Sequence, residues 1–387
     1  MNNKNVPLFS FWGIVQIIMA LGALGVLTAK MIWGLGAVTN LSDNWPWGLW
    51  VAFDVGVYIA SAAGGFVLAA LVYIFKIETF RPLFKPAILI ATLGYTIGAL
   101  GIAVDLGRSP LIVHPLWMWQ PNSIMFEVAW CVMMYLTVLY LEFSPNIFAR
   151  FGLVKAERVQ HALVIPLVTF GILLSFLHQS SLGALFLITP EQQPLWHLSL
   201  MGYLFVISAM SLGLSVLTLF SIVTAKSWKL TLRMDLLPKV MSIAAWILVF
   251  YLGLRFWDTA QSGHFSAFKF DVFGWLYIAE VGVGMILPIV LIAIKKVRES
   301  RAGLLWSAGL IVFGLMLNRI NTLVVSQAPT RTGNYFPTVW EFIFTLGLIA
   351  GAMYAFRLAA KFLPLFSDNK VGLPEAVAKT NPAVVPA

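Results

Sequence analysis

Residues 46–75 read PWGLWVAFDVGVYIASAAGGFVLAALVYIF, an apolar run from Leu49 onward that a single charged side chain, Asp54, interrupts. A helix rises about 1.5 Å per residue, so some 20 such residues cross the hydrocarbon core of a bilayer. Runs of the same kind lie on either side, near residues 10–31, 86–104, 122–143, 160–187, 197–224, 240–260, 272–294, 303–325 and 339–361. With 60% hydrophobic and 11% charged residues, the chain reads as an all-α integral membrane protein of about ten transmembrane helices. The first run lacks a small-residue cleavage site after a short apolar core and reads as a retained helix.

The basic residues fix an expected orientation. Lys76, Arg81 and Lys85 follow the second span; Arg150, Lys155 and Arg158 follow the fourth; Lys226, Lys229, Arg233 and Lys239 follow the sixth; Lys295, Lys296, Arg298 and Arg301 follow the eighth. Alternate loops rich in Lys and Arg stay in the cytoplasm, and Lys4 and Lys361 place both termini with them. The net charge of +9 therefore records topology, not nucleic-acid binding. One cysteine, Cys131, excludes an internal disulfide and a cysteine-ligated zinc or iron–sulfur site. Redox metal chemistry would belong to a haem or to a partner.

Most of the ionisable residues inside spans collect towards the non-cytoplasmic end: Asp54, Asp105, Arg108, Glu127, His178, Arg255, Asp258, Glu280 and Arg319. Each costs about 2.5–3.5 kcal/mol at a helix centre, so each needs a partner or a task. Asp105 with Arg108, and Glu280 with Arg319, read as well as structural ion pairs as site residues. Asp54 and Glu127 have no basic residue one turn away on their own helices, which marks them as proton-exchanging acids. Spans two to five and six to nine show a similar order of polar residues, suggesting two four-helix bundles with flanking helices. The expected organisation is a cytoplasmic N-terminus (1–9), first helix and outer loop (10–47), four-helix bundle with the site (48–190), second bundle (191–330), last helix (331–365) and a Pro- and Ala-rich disordered tail (366–387).

Of five histidines, only His178 and His197 fall where they can share one haem. The small residues of ASAAGGF, 60–66, suit close helix packing. Trp45, Trp47, Trp50, Trp117, Trp119 and Trp196 read as an outer aromatic belt. Tyr335, Pro337, Trp340 and Glu341 read as a docking surface.

In order and spacing, PWGLWVAFD, IAVDLGR, NSIMFEVAW, LEFSP, LHQSSLGALF, PLWH, LRF and YFPTVWEF resemble the NrfD/PsrC family of quinone-reactive membrane subunits, in the ten-helix branch of the hydrogenase-2 (HybB) type. The resemblance covers about residues 10–365. It implies an anchor in a bacterial or archaeal inner membrane that holds neither haem nor iron–sulfur cluster. Such an anchor exchanges electrons between menaquinone or ubiquinone and a periplasmic ferredoxin-like iron–sulfur subunit, itself joined to a catalytic or multihaem cytochrome subunit. The resemblance gives Glu127 the part of a proton-handling acid beside the quinone, and points to Asp54, Tyr58, His178 and Gln179 as quinone contacts. The resulting assignment is Glu127, Asp54 and His178 as catalytic; Tyr58, Gln179, Asp105 and Arg108 as quinone-binding; Glu142, Glu280 and Arg319 as a proton path; and no metal. A secondary transporter or proton channel, and a diheme cytochrome b, are the competing classes.

Overall fold

The computed structural model describes residues 6–189 and 192–365, so the expected tail 366–387 and the first five residues of the expected N-terminal segment lie outside the described residues. Among the described residues, ten helices are long and apolar enough to cross a membrane. They are α1 (Phe11–Trp33), α2 (Leu49–Ile74), α3 (Glu78–Asp105), α4 (Ile124–Phe151), α5 (Ala162–Leu185), α6 (Met201–Trp228), α7 (Leu237–Gln261), α8 (Val272–Ala293), α9 (Arg301–Thr330) and α10 (Val339–Phe362). The chain is a multi-pass, all-α membrane protein.

Hydropathy places the ends of these helices less well than their centres. α4 continues past Phe143 through Ser144 and Pro145 to Phe151, where Gly152 takes the left-handed conformation at φ 67° and its N–H closes on the Phe148 carbonyl. α5 is the apolar part of a helix that already begins at Val154. A backbone leaving a bilayer keeps its internal hydrogen bonds until a cap replaces them, so polarity alone does not end a helix. At some N-termini side chains do this work: Ser123 Oγ accepts from Phe126 N, and Thr338 with Glu341 forms a reciprocal capping box on α10.

Packing centres on α2 and α6. Their backbones touch where Gly64 faces Gly213: a Cβ on Gly213 would fall 1.9 Å from the Gly64 nitrogen. Gly284 and Gly314 bring α8 and α9 together in the same way. Small residues allow this approach, and van der Waals contact then holds helices that lipid would not drive together. α2 also packs on α3 and α9, α4 pairs with α5, α1 pairs with α10, and α6 lies against α5, α7 and α9. The two expected four-helix groups thus meet along α2, α6 and α9 rather than standing apart.

Three stretches are wound wider than an α-helix: Ala52–Tyr58 and Ala70–Ile74 in α2 and Ile278–Ile286 in α8 are π-helical. The first and the last each carry one acid, Asp54 and Glu280 respectively. Such wider turns recur at functional sites because they shift side chains out of the regular register.

Candidate functional site

The first wide turn positions Asp54. Its carboxylate lies flat on α3, where a Cβ on Gly101 would sit 2.1 Å from Asp54 Cγ. Gly98 and Gly94, one and two turns further along α3, receive Ile59 and the Tyr58 carbonyl in the same manner. The GYTIGALG stretch, 94–101, is therefore a groove cut for α2. Asp54 is 0% exposed and neither carboxylate oxygen has a hydrogen-bond partner.

Six residues back along α3, about 9 Å towards the basic end, Tyr95 is equally buried. Its ring meets Tyr135 of α4 edge-on at 4.7 Å and lies 6.1 Å from the His178 ring of α5. His178 is 0% exposed and lies beside the Val128 backbone of α4, yet both ring nitrogens lack a hydrogen bond. The Tyr95 hydroxyl and both polar atoms of the Gln179 amide lack one too. Ile59, Ala62, Cys131, Val132 and Leu174 supply the apolar surroundings of the tyrosine pair. A buried polar group left unpaired costs about 1–3 kcal/mol. Asp54, Tyr95, His178 and Gln179, all on α2, α3 and α5, together form a buried set of donors and acceptors without a well-formed hydrogen bond among the described residues, with Ser175 beside the Tyr95 hydroxyl and the Val128 backbone beside His178.

The remaining expected site residues are placed as follows. Glu127, in the first turn of α4, is half-buried and immediately precedes Val128, which faces His178. The Tyr58 hydroxyl is committed elsewhere: it donates to the Thr345 carbonyl of α10 at 2.8 Å. Asp105 and Arg108 do not form the ion pair that their spacing suggested. Arg108 is exposed, whereas Asp105 keeps one oxygen buried and unpartnered. Nearby, Lys30 of α1 reaches across to donate to the Leu106 carbonyl at 2.9 Å and to Ser109. Glu142 is buried two turns beyond Tyr135 on α4, beside Gly171 of α5.

The second acid in a wide turn is bound differently. Glu280 accepts from Asn318 at 2.8 Å, from Asn321 and Trp196 at 2.7 Å each, and from Arg255, its ion-pair partner. The expected pairing with Arg319 is not made, because the inward face of α7 presents Arg255 first. Arg319 instead donates to the Phe205 carbonyl at 2.9 Å and to Ser208 at 2.8 Å, with its guanidinium 3.7 Å from the Phe205 ring centroid. Arg255 also lies 5.0 Å from the Tyr277 ring. Individual atoms here remain unpaired, Arg255 Nε and the Tyr277 hydroxyl among them, but both carboxylate oxygens are satisfied.

Two sequence expectations about aromatic residues change. Trp196, Trp50 and Trp45 are buried rather than belted at an interface, and Trp50 Nε1 donates to the Glu341 carbonyl at 3.1 Å. Trp117 and Trp119 are exposed as expected. In the expected docking stretch, Glu341 is 0% exposed and holds the Asn40 backbone and the Tyr335 hydroxyl, while Asn334, Phe336, Val339, Trp340 and Phe342 are exposed. The sequence reading missed Tyr95, Tyr135 and the glycine groove; the 94-98-101 glycine spacing was the available signal.

A ten-span membrane protein with an unpaired polar set among its helices is the class that fold and site define. The family described as "Polysulphide reductase, NrfD" matches residues 37–329, and the chain belongs to it. It is 32% identical over 380 residues to a protein of Nitratidesulfovibrio vulgaris, covering 95% of this chain and 97% of that one. It is 30% identical to the probable Ni/Fe-hydrogenase 2 b-type cytochrome subunit of Escherichia coli, covering 94% of this chain and 93% of the relative. It is 27% identical to the menaquinone reductase integral membrane subunit of Nitratidesulfovibrio vulgaris, covering 87% of each.

Proposed function

We propose that this chain is the quinone-reactive membrane subunit of a respiratory oxidoreductase complex. In this reading it exchanges electrons between a periplasmic iron–sulfur subunit, attached to a catalytic or multihaem partner, and the menaquinone or ubiquinone pool. The observation that carries the reading is the unpaired set Asp54, Tyr95, His178 and Gln179, in a family with a relative named as a menaquinone reductase subunit. A quinone offers two carbonyl oxygens that only accept, and His178, Gln179 and Tyr95 can each donate. Interconversion with the quinol exchanges two protons along with two electrons, so the site also needs titratable groups.

Asp54 and Glu127 take that part, with Asp105 and Arg108 at the charge-poor end of the site. Glu142, buried on α4 beyond Tyr135, connects the site towards the basic, cytoplasmic end and gives turnover a route for proton uptake across the membrane. Glu280 and Arg319 we assign to holding α6, α8 and α9 together, because both Glu280 carboxylate oxygens and Arg319 Nη2 already have partners among these helices and their neighbours.

His178→Phe tests the site. It removes two nitrogens that make no well-formed hydrogen bond among the described residues, so the variant should insert and assemble normally. Binding of a quinone-analogue inhibitor to the purified complex should weaken roughly 10- to 100-fold, the loss of one well-placed hydrogen bond in a dry site. Unchanged inhibitor affinity would remove His178 from the site.

A further inference from the structure

At the basic end, away from the residues discussed above, α1, α6 and α10 leave a cleft of about 280 Å³ between Trp12, Gln16, Phe220, Val223, Trp228 and Arg357. Arg357 is 5% exposed. Its Nη1 donates to the Pro7 carbonyl at 2.6 Å and to Ser10 Oγ at 2.9 Å, and its guanidinium carbon lies 5.8 Å from the Trp228 ring. Its Nε has no partner, nor has Gln16 Oε1, and no carboxylate among the described residues neutralises the charge. Lys226 and Lys229 stand exposed in the last turn and cap of α6, beside the cleft-lining Ser227 and Trp228. Trp12 and Val223 present apolar surface outward.

An unneutralised guanidinium in the cleft, with exposed Lys226 and Lys229 next in sequence to its lining residues Ser227 and Trp228, matches a phosphate diester at a membrane boundary, and the apolar walls match the first methylenes of an acyl chain. The uncharged ring of a quinone would leave all three cations without a counter-charge. We infer that this cleft binds an anionic membrane phospholipid, with the phosphate on Arg357 and the lysines and the acyl chain along Trp12 and Val223. The site is separate from the proposed quinone site and does not depend on it.

The test is native mass spectrometry of the detergent-purified complex, delipidated and then titrated with phosphatidylglycerol or phosphatidylcholine. The wild type should retain phosphatidylglycerol over phosphatidylcholine by roughly tenfold, as a charge-assisted hydrogen bond provides. Ser227→Trp fills the cleft from an exposed position, and Lys226→Gln with Lys229→Gln removes the flanking charge; each should abolish most of the preference while leaving the complex assembled. Arg357→Gln should do the same, but it also frees the Pro7 segment, so the exposed-residue variants decide. Equal retention of the two lipids by the wild type, or an unchanged preference in Ser227→Trp, would overturn the inference. So would phosphatidylglycerol binding that appears only after residues 366–387 are removed, since the chain itself would then be the occupant. Recovery of a quinone, lost in Ser227→Trp, would overturn it as well.

Discussion

Asp54 and Glu280 are the same kind of residue in the same kind of place: a carboxylate in a π-helical turn, 0% exposed, on a helix near the middle of the packing. Glu280 receives donors from two other helices, α7 and α9, and from the loop before α6, whereas Asp54 receives none. The difference separates two uses of a buried acid. Removing one partner of a buried, hydrogen-bonded ion pair leaves an uncompensated charge, typically at a cost of 3–5 kcal/mol. Removing the ionisable function of an unpartnered acid relieves a cost instead. The Glu280 network is held for architecture, and the Asp54 cluster is held at the expense of architecture.

The largest effect should come from breaking the Glu280 network on one side. Arg255→Met or Glu280→Met alone should destabilise the protein by about 3–5 kcal/mol, seen as a large drop in its detergent unfolding midpoint. The double variant should recover much of the loss, since no lone charge is left behind. A single variant as stable as the wild type would place the network outside the packing core. Next comes the α2–α6 contact: Gly213→Ala forces a methyl group to 1.9 Å from the Gly64 nitrogen and should cost about 1–3 kcal/mol, the usual range for overpacking, measured by the same assay. Smallest is Tyr58→Phe, which removes one hydrogen bond to the Thr345 carbonyl and should cost about 1 kcal/mol. Its quinone turnover should stay near the wild-type value; a deep loss there would return Tyr58 to the quinone contacts.

The ten spans were legible because lipid imposes a length and a polarity that no other environment requires. Asp54 was legible for a related reason: its own helix offers no cation, and none arrives from another. Glu280 shows the limit of that argument. Its sequence suggested Arg319, but helix rotation brings Arg255, Asn318, Asn321 and Trp196 to the carboxylate, and rotation is set by glycine contacts such as Gly284 with Gly314. Trp196 reads as part of the outer aromatic belt because it lies at the outer end of a span; it is instead buried and donates to Glu280 of α8. Tyr95 was invisible because a tyrosine in an apolar helix is common, and only the tertiary meeting with Tyr135 and His178 gives it a place. The wide turns that carry both acids leave no mark in hydropathy.

The most direct test is Asp54→Asn in the intact complex, followed by two readings on one preparation: thermal stability and quinone turnover. The amide keeps size and hydrogen-bonding capacity while removing the exchangeable proton. Stability should be unchanged or raised, the partner's redox centres should still equilibrate with their donor, and quinone turnover should fall by roughly 10² to 10⁴, the usual loss for a positioned acid or base. Wild-type turnover in a fully assembled Asp54→Asn complex would contradict the account and make Asp54 one more structural acid.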